Sequence, residues 1–137
     1  MTANQEIIEE FRTNDGRVGG YFEGRTLLLL HHTGAKTGAA YVNPLAYQRL
    51  SDDAVAIFAS KGGAPTTPAW FYNLVEHPDV EVEIGTERYS ARARVAEGAE
   101  REAIWEKQKA NWQSFAEYEE KTEGIREIPV VVLDLAS

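Results

Sequence analysis

Apolar and polar positions alternate most cleanly over residues 79–95. Val80, Val82 and Ile84 alternate with Glu81 and Glu83. After a Gly-Thr turn, Tyr89, Ala91, Ala93 and Val95 alternate with Ser90, Arg92 and Arg94. A period of two puts each apolar set on one face, so the two segments read as a hairpin with one wet face. On that face Glu81 or Glu83 is expected to pair with Arg92 or Arg94. The closing IPVVVLDL is apolar on both faces, which predicts a central strand. TLLLLHH at 26–32, residues 40–50 and AVAIFAS at 54–60 read as three more strands, and Pro44 marks an edge or a bulge in the second. Ile7, Ile8 and Phe11 share one face of a short helix over 4–12. A second helix is expected over 68–76, with Thr67 as N-cap and Pro68 at its first position, stopping before His77-Pro78. Residues 99–121, rich in Glu, Lys, Ala and Gln, read as the longest helix. GRVGGYFEG at 16–24 is a glycine-rich connector. Six strands, mostly hairpin-linked, and three helices predict an antiparallel barrel or sandwich with helices packed outside. Residues 1–137 show no repeat or linker and are expected to form one domain.

Composition removes several classes of chemistry. The chain has no cysteine, so thiolate zinc sites, iron–sulfur clusters, disulfides and cysteine nucleophiles are excluded. Its three histidines lack metal-motif spacing, and no metal site is expected. GxSxG, Walker A and GxGxxG are all missing. The net charge of −8 argues against nucleic acid as a partner. The N-terminus is acidic without an apolar stretch, and runs such as LLLL are too short to span a bilayer. A cytoplasmic protein is the expectation.

Charge placement then singles out two loops. Lys36, in HHTGAKTGAAYVNPL, is the only fixed charge between Arg25 and Arg49; Lys61, in FASKGGAPTTPAW, is the only one between Asp53 and Glu76. Gly34, Gly38, Gly62 and Gly63 let backbone N–H groups approach a ligand without a Cβ in the way. A helix is expected to begin just behind Lys61, and lysine, bare amides and a helix N-terminus together suit a phosphate. Two ordinary glycine turns with solvated lysines would also fit. Residues 1–61 carry a net −1 and residues 62–137 a net −7, so an anion meets least repulsion in the half that holds both turns.

Aromatic residues add a second signal. Trp70, Phe71 and Tyr72 follow the Lys61 loop, while Trp112, Phe115 and Tyr118 are spaced by three. On one continuous helix that spacing fans the rings around the axis, so some leave the core face and could wall a pocket. Burial of Trp112 and Phe115 in a core, with Tyr118 at its boundary, is the plainer alternative. One of His31 and His32 must face inward, as a satisfied core or pocket-rim histidine. Anion loops and aromatic walls without acid–base machinery fit hydride-transfer enzymes, in which the cofactor carries the chemistry. Ser60 could donate a hydrogen bond to a ring oxygen on which charge develops.

From Gly16 onward the chain resembles the deazaflavin-dependent nitroreductase family of actinobacteria. TGAKTG, NPL, SKGG, and W-x-x-NL followed by HP occur in that family's order and spacing. The resemblance implies a split β-barrel like that of flavin-mononucleotide-binding oxidases. It implies coenzyme F420, an 8-hydroxy-5-deazaflavin, as hydride donor to a small-molecule acceptor: a quinone, enone or nitroaromatic. The implied cofactor site comprises Lys36, Thr37, Tyr41, Pro44, Ser60, Lys61, Gly62, Gly63, Ala69, Trp70 and Asn73. Lys36 and Lys61 match positions that hold the phosphate and acidic tail. Ala46, Tyr47, Trp112, Phe115 and Tyr118 would contact the acceptor, with Tyr118 and Ser60 as the groups nearest the chemistry. Ala35 and Tyr41 stand where the best-known members carry arginine, which implies a weaker grip on the tail. Trp112 and Phe115 replace tyrosines, which favours quinones or enones over nitro groups. A quinone substrate would also bring peripheral membrane contact. Competing readings are a flavin-mononucleotide oxidoreductase on the same barrel and a module that binds a cofactor or apolar ligand without turnover.

Overall fold

A computed structural model of the chain describes residues 3–14, 16 and 27–136. The connector at 16–24 falls almost wholly outside them, as does Thr26. The elements run α1 (Ala3–Thr13), β1 (Leu27–Thr33), β2 (Ala40–Ser51), β3 (Ala54–Phe58), a 3-10 turn (Lys61–Gly63), α2 (Ala69–Glu76), β4 (Asp79–Ile84), β5 (Glu87–Val95), α3 (Gly98–Asn111), α4 (Ser114–Thr122) and β6 (Val130–Ala136). Six antiparallel strands close into a barrel in the order β1-β2-β3-β6-β5-β4. This is the expected split barrel.

Strand alternation sorts the core into two layers. Val55, Ile57, Val131 and Leu133 point into the barrel with Leu28, Leu30 and Val82. The residues between them, Ala56, Phe58, Val130 and Val132, point outward and are covered by Ile104, Trp105, Trp112 and Phe115. Hence β6 is apolar on both faces and sits between β3 and β5, as its composition predicts.

Three expectations need correction. The helix expected over 99–121 is two helices. Trp112 has extended backbone (φ −146°, ψ 98°) and ends α3, and α4 begins at Ser114. Four α-helices therefore stand among the described residues instead of three. Pro68, not Thr67, occupies the N-cap of α2 (φ −65°, ψ 148°) and offers no side-chain cap. The third concerns ion pairs on the wet face of the β4–β5 hairpin. The register sets Glu83 opposite Arg88 and Asp79 opposite Arg92. Arg88 binds Glu81, Arg92 binds Asp79 at 2.9 Å, and Arg94 reaches Glu100 and Asp134. Glu83 turns to Arg12 of α1 at 2.8 Å and His31 at 2.6 Å, and the Arg12 bond holds its carboxyl below the usual range.

Strand β2 is paired unevenly, and this opens the site. Residues 40–46 pair with β1 alone, whereas residues 47–51 pair with β3. Pro44 lies opposite Leu29 in the half without a second neighbour, where its missing N–H costs no ladder bond. The edge reading of Pro44 therefore holds.

Candidate active site

A cleft of about 1190 Å³ opens along this half-paired stretch of β2. The Lys36 turn and α2 form one side, the Lys61 turn another, and α4 a third; Asn4 of α1 overhangs it. Among the described residues its charged lining residues are Lys36 and Lys61, and none of its lining residues there is a carboxylate. In a chain of net charge −8 this segregation is a strong electrostatic bias toward an anionic ligand.

The Lys36 turn is held by backbone and side-chain bonds. Gly34 N–H donates to Ala39 O at 2.8 Å, and Gly38 N–H to Gly34 O at 3.0 Å. A Cβ on Gly34 would lie 2.7 Å from Thr37 Oγ1 and 3.0 Å from the Tyr41 ring, so a larger residue there must displace both side chains. Behind it, Asn73 of α2 accepts from Ala35 N–H at 2.9 Å. Asn73 is three residues after Trp70, so both project from one face of α2 into the cleft.

The Lys61 turn is built differently. Lys61 itself has left-handed backbone (φ 48°), Gly62 and Gly63 follow at φ 63° and 83°, and Lys61 Nζ donates to Thr66 Oγ1 at 3.1 Å. Arg126 clamps the loop from beneath. Its guanidinium donates to the carbonyls of Ala64 (3.1 Å), Ala59 (3.1 Å) and Ser60 (3.0 Å). Nothing in the sequence marks Arg126, which lies in a charged stretch and binds loop carbonyls more than sixty residues upstream.

The aromatic wall exists, though not as a fan around one helix. Because the helix breaks at Trp112, its ring packs on Phe115 (centroids 5.2 Å), which packs on Tyr118 (5.2 Å) and Phe58 (5.4 Å). All four rings line the cleft. Trp112 and Phe115 are thus both core residues and wall.

Most of the expected site residues meet here: Lys36, Thr37, Tyr41, Pro44, Ala46, Ser60, Lys61, Gly62, Ala69, Trp70, Asn73, Trp112, Phe115 and Tyr118. Two do not. Tyr47 packs against the barrel core instead, with the Arg49 guanidinium 6.0 Å from its ring centroid. It is the residue at which β2 gains β3 as a second neighbour, and the open edge ends there. Gly63 is buried below the cleft against α4, where a Cβ would come within 2.8 Å of Lys121 Cδ. Sequence reasoning missed Asn43, Leu45, Phe58, Pro68 and Tyr72 as lining residues. Asn43 to Ala46 line the cleft consecutively because the strand edge, not only one strand face, forms the wall.

His32, expected at a core or rim position, is 6% exposed and lines the cleft. Its Nε2 is 2.6 Å from Asn43 Oδ1, its Nδ1 is 3.1 Å from Asn73 Nδ2, and its ring stacks on Tyr41 at 5.6 Å. Burial lowers its pKa, against the opposing pull of the Asn43 bond. Among the described residues no His, Asp or Glu cluster could hold a metal. No helix among them is long and apolar enough to cross a membrane.

A closed split barrel with an apolar cleft and two lysines at its rim defines a class of small-cofactor oxidoreductases. Residues 4–134 match the F420H(2)-dependent quinone reductase family, and the chain belongs to that family. It is 38% identical over 127 residues to the F420H(2)-dependent quinone reductase Rv1261c of Mycobacterium tuberculosis, covering 90% of this chain and 83% of that one. Among solved structures it resembles an F420-H2 dependent reductase, FDR-A. There the identity is 36% and the TM-score 0.71, with 79% of this chain and 93% of that chain covered. The haem-storage protein HutZ of Vibrio cholerae, 14% identical with a TM-score of 0.59 over all of this chain and 92% of that one, shares the fold alone.

Proposed function

We propose that the chain is an F420-dependent oxidoreductase that transfers a hydride from reduced F420 to a quinone. The observation that carries this reading is the cleft itself: among the described residues, apolar walls, two lysines and no carboxylate. It suits a cofactor with a flat ring and an anionic tail, and a flat apolar acceptor. Hydride donation is the chemistry that the bound coenzyme supplies. The chain's own residues bind, orient and keep water out. Lys61 and Lys36 hold the phosphate and acidic tail, helped by the backbone of Thr37 and Gly62. Pro44, Trp70 and Asn73 pack around the ring, and Tyr41 and Ala69 flank the linker. Ser60, 9% exposed at the base of the Lys61 turn, donates to a ring oxygen. Ala46, Trp112 and Phe115 stack on the acceptor and exclude water, and Tyr118 gives it a hydrogen bond or proton. Quinones with long apolar tails partition into bilayers, so we place the protein in the cytoplasm, in peripheral contact with the inner membrane face.

Titration with oxidised F420 and with flavin mononucleotide, followed by menadione added to the reduced complex, tests the reading. Preferential F420 binding with turnover is expected. Preference for flavin mononucleotide, or binding without turnover, would overturn it. In the same assay Tyr118→Phe should lower kcat with cofactor affinity little changed, because a transition-state bond shows in turnover.

A further inference from the structure

His32 sits where four parts of the cleft meet. It is the penultimate residue of β1, faces Asn43 and Tyr41 of β2 and Asn73 of α2, and connects through Asn73 to the turn that carries Lys36. The orientation of every group in this chain can be worked out from the backbone. The Ala35 N–H can only donate, so the Asn73 atom that it meets at 2.9 Å must be the amide oxygen. The other end of the Asn73 amide, 3.1 Å from His32 Nδ1, is then NH2 and can only donate. His32 Nδ1 must therefore be bare, and the neutral ring carries its proton on Nε2. That proton points at Asn43 Oδ1, 2.6 Å away, which can only accept. Donor meets acceptor at each of the three steps, and no other neutral tautomer allows this.

We propose that His32, as the neutral Nε2–H tautomer, is a positioning residue for the cofactor grip, fixing Asn73 and through it the turn that presents Lys36. The inference rests on the functional reading above only for its binding measurement. Ala35 immediately precedes Lys36, and its N–H is the point at which the network reaches the turn. With the ring bonds gone, the Asn73 amide is free to rotate and the Ala35 N–H loses its fixed acceptor. The turn then keeps only its internal bonds, the backbone pair and Ala39 N–H to Thr37 Oγ1 at 3.2 Å. His32 touches no reacting group in this arrangement; it acts through Asn73 and Asn43, both of which line the cleft.

Two variants separate positioning from bulk. His32→Phe keeps the ring volume and the stack on Tyr41 but removes both hydrogen bonds, whereas His32→Gln keeps one amide donor and one acceptor. Long-range 1H–15N spectra of the cofactor-free parent at neutral pH, with His32 assigned by its loss in His32→Gln, read the tautomer directly. A proton on Nε2 and a bare Nδ1 are expected; a proton on Nδ1 would overturn the proposal. In His32→Phe, hydrogen exchange at the Ala35 amide should quicken about tenfold and F420 affinity should fall about tenfold, with kcat at saturating cofactor nearly unchanged. His32→Gln should recover most of both losses. Unchanged Ala35 exchange in His32→Phe would overturn the proposal, and so would faster exchange with unchanged F420 affinity. If the parent itself does not bind F420, the functional reading fails alone. The tautomer and exchange results then still decide whether His32 orders the turn.

Discussion

The two lysine turns look alike in sequence, each a lone cation among glycines and small residues, yet they are held by different means. The Lys36 turn is closed by its own backbone and steadied by neutral amides and an imidazole from β1 and α2. The Lys61 turn carries backbone strain at Lys61 (φ 48°), which two glycines at positive φ follow without strain, and a charged side chain from the far end of the chain grips its carbonyls. The first is tied to β1 and α2 by neutral hydrogen bonds. The second depends on α4 and the segment after it, so the aromatic wall and the Lys61 turn form one unit. The contrast teaches that similar composition can hide different supports, and that the turn held by a charged clamp is the better anchor for a phosphate.

Removing the clamp should break this contrast most strongly. Arg126→Ala removes a charged donor from three loop carbonyls, of which Ser60 O keeps the Gly63 N–H at 2.9 Å, and charge-assisted bonds of this kind put the loss at about 3 kcal/mol of stability, read by urea denaturation. The same variant should bind F420 poorly, and a loss under about 0.5 kcal/mol would show that the clamp does not hold the turn.

Next in size is a comparison of adjacent glycines. Gly63→Ala must adopt φ 83° and move Lys121 and the Tyr118 backbone, which lies 3.2 Å from the added Cβ. It should cost about 2 kcal/mol and slow turnover through the displaced wall. Gly62→Ala, at φ 63° with nothing within 4 Å, carries the backbone strain alone and should cost about 1 kcal/mol. Equal losses would mean that α4 yields freely.

The lysines themselves come third. Lys61→Ala should weaken F420 binding roughly tenfold to a hundredfold at low salt, and less at high salt. Lys36→Ala removes the group that His32 and Asn73 position, so it should cost at least the roughly tenfold expected of His32→Phe but less than Lys61→Ala. Equal effects in a fluorescence titration would erase the difference between the two turns.

The smallest effect concerns the imidazole on the Lys36 side. Burial holds the His32 pKa below its ordinary 6.5, so the unfolded chain takes up this proton first as the pH falls. The contribution of His32 to stability is thus complete above about pH 6.5 and is lost below it. From about pH 7.5 to about pH 5.5 the parent should lose slightly more stability than His32→Gln, measured by denaturant titration at each pH.

Sequence patterning carried most of the barrel. Strict alternation gave the β4–β5 hairpin, and the doubly apolar run gave β6 its central place. The break at Trp112 was hidden because residues 106–121 keep a helix-forming composition throughout, and only tertiary burial of Trp112 and Phe115 against Phe58 favours two short helices. The hairpin ion pairs were misassigned because alternation fixes the face of a strand but not its register. Within the site, isolated charge and glycine made both turns legible. Tyr47 and Gly63 were misplaced because their neighbours do line the cleft, and where the cleft stops depends on where β3 and α4 dock. Arg126 was illegible because the carbonyls it binds lie far upstream in the chain, and Asn43 because a single asparagine is common on any surface.

Placing β6 between β3 and β5 has a consequence for biosynthesis. During translation the β1–β2–β3 meander and the β4–β5 hairpin emerge first, each with apolar residues that only β6 can cover. The barrel cannot close until Val130–Ala136 leaves the ribosome, and by then α3 and α4 wait without the outer face of Val130 and Val132 to rest on. Long-range closure of this kind is slow and leaves unpaired edges on β3 and β5 meanwhile. The nascent chain is therefore a natural client for chaperones that shield open strands, and a truncation before Val130 should yield aggregated protein, not a smaller enzyme.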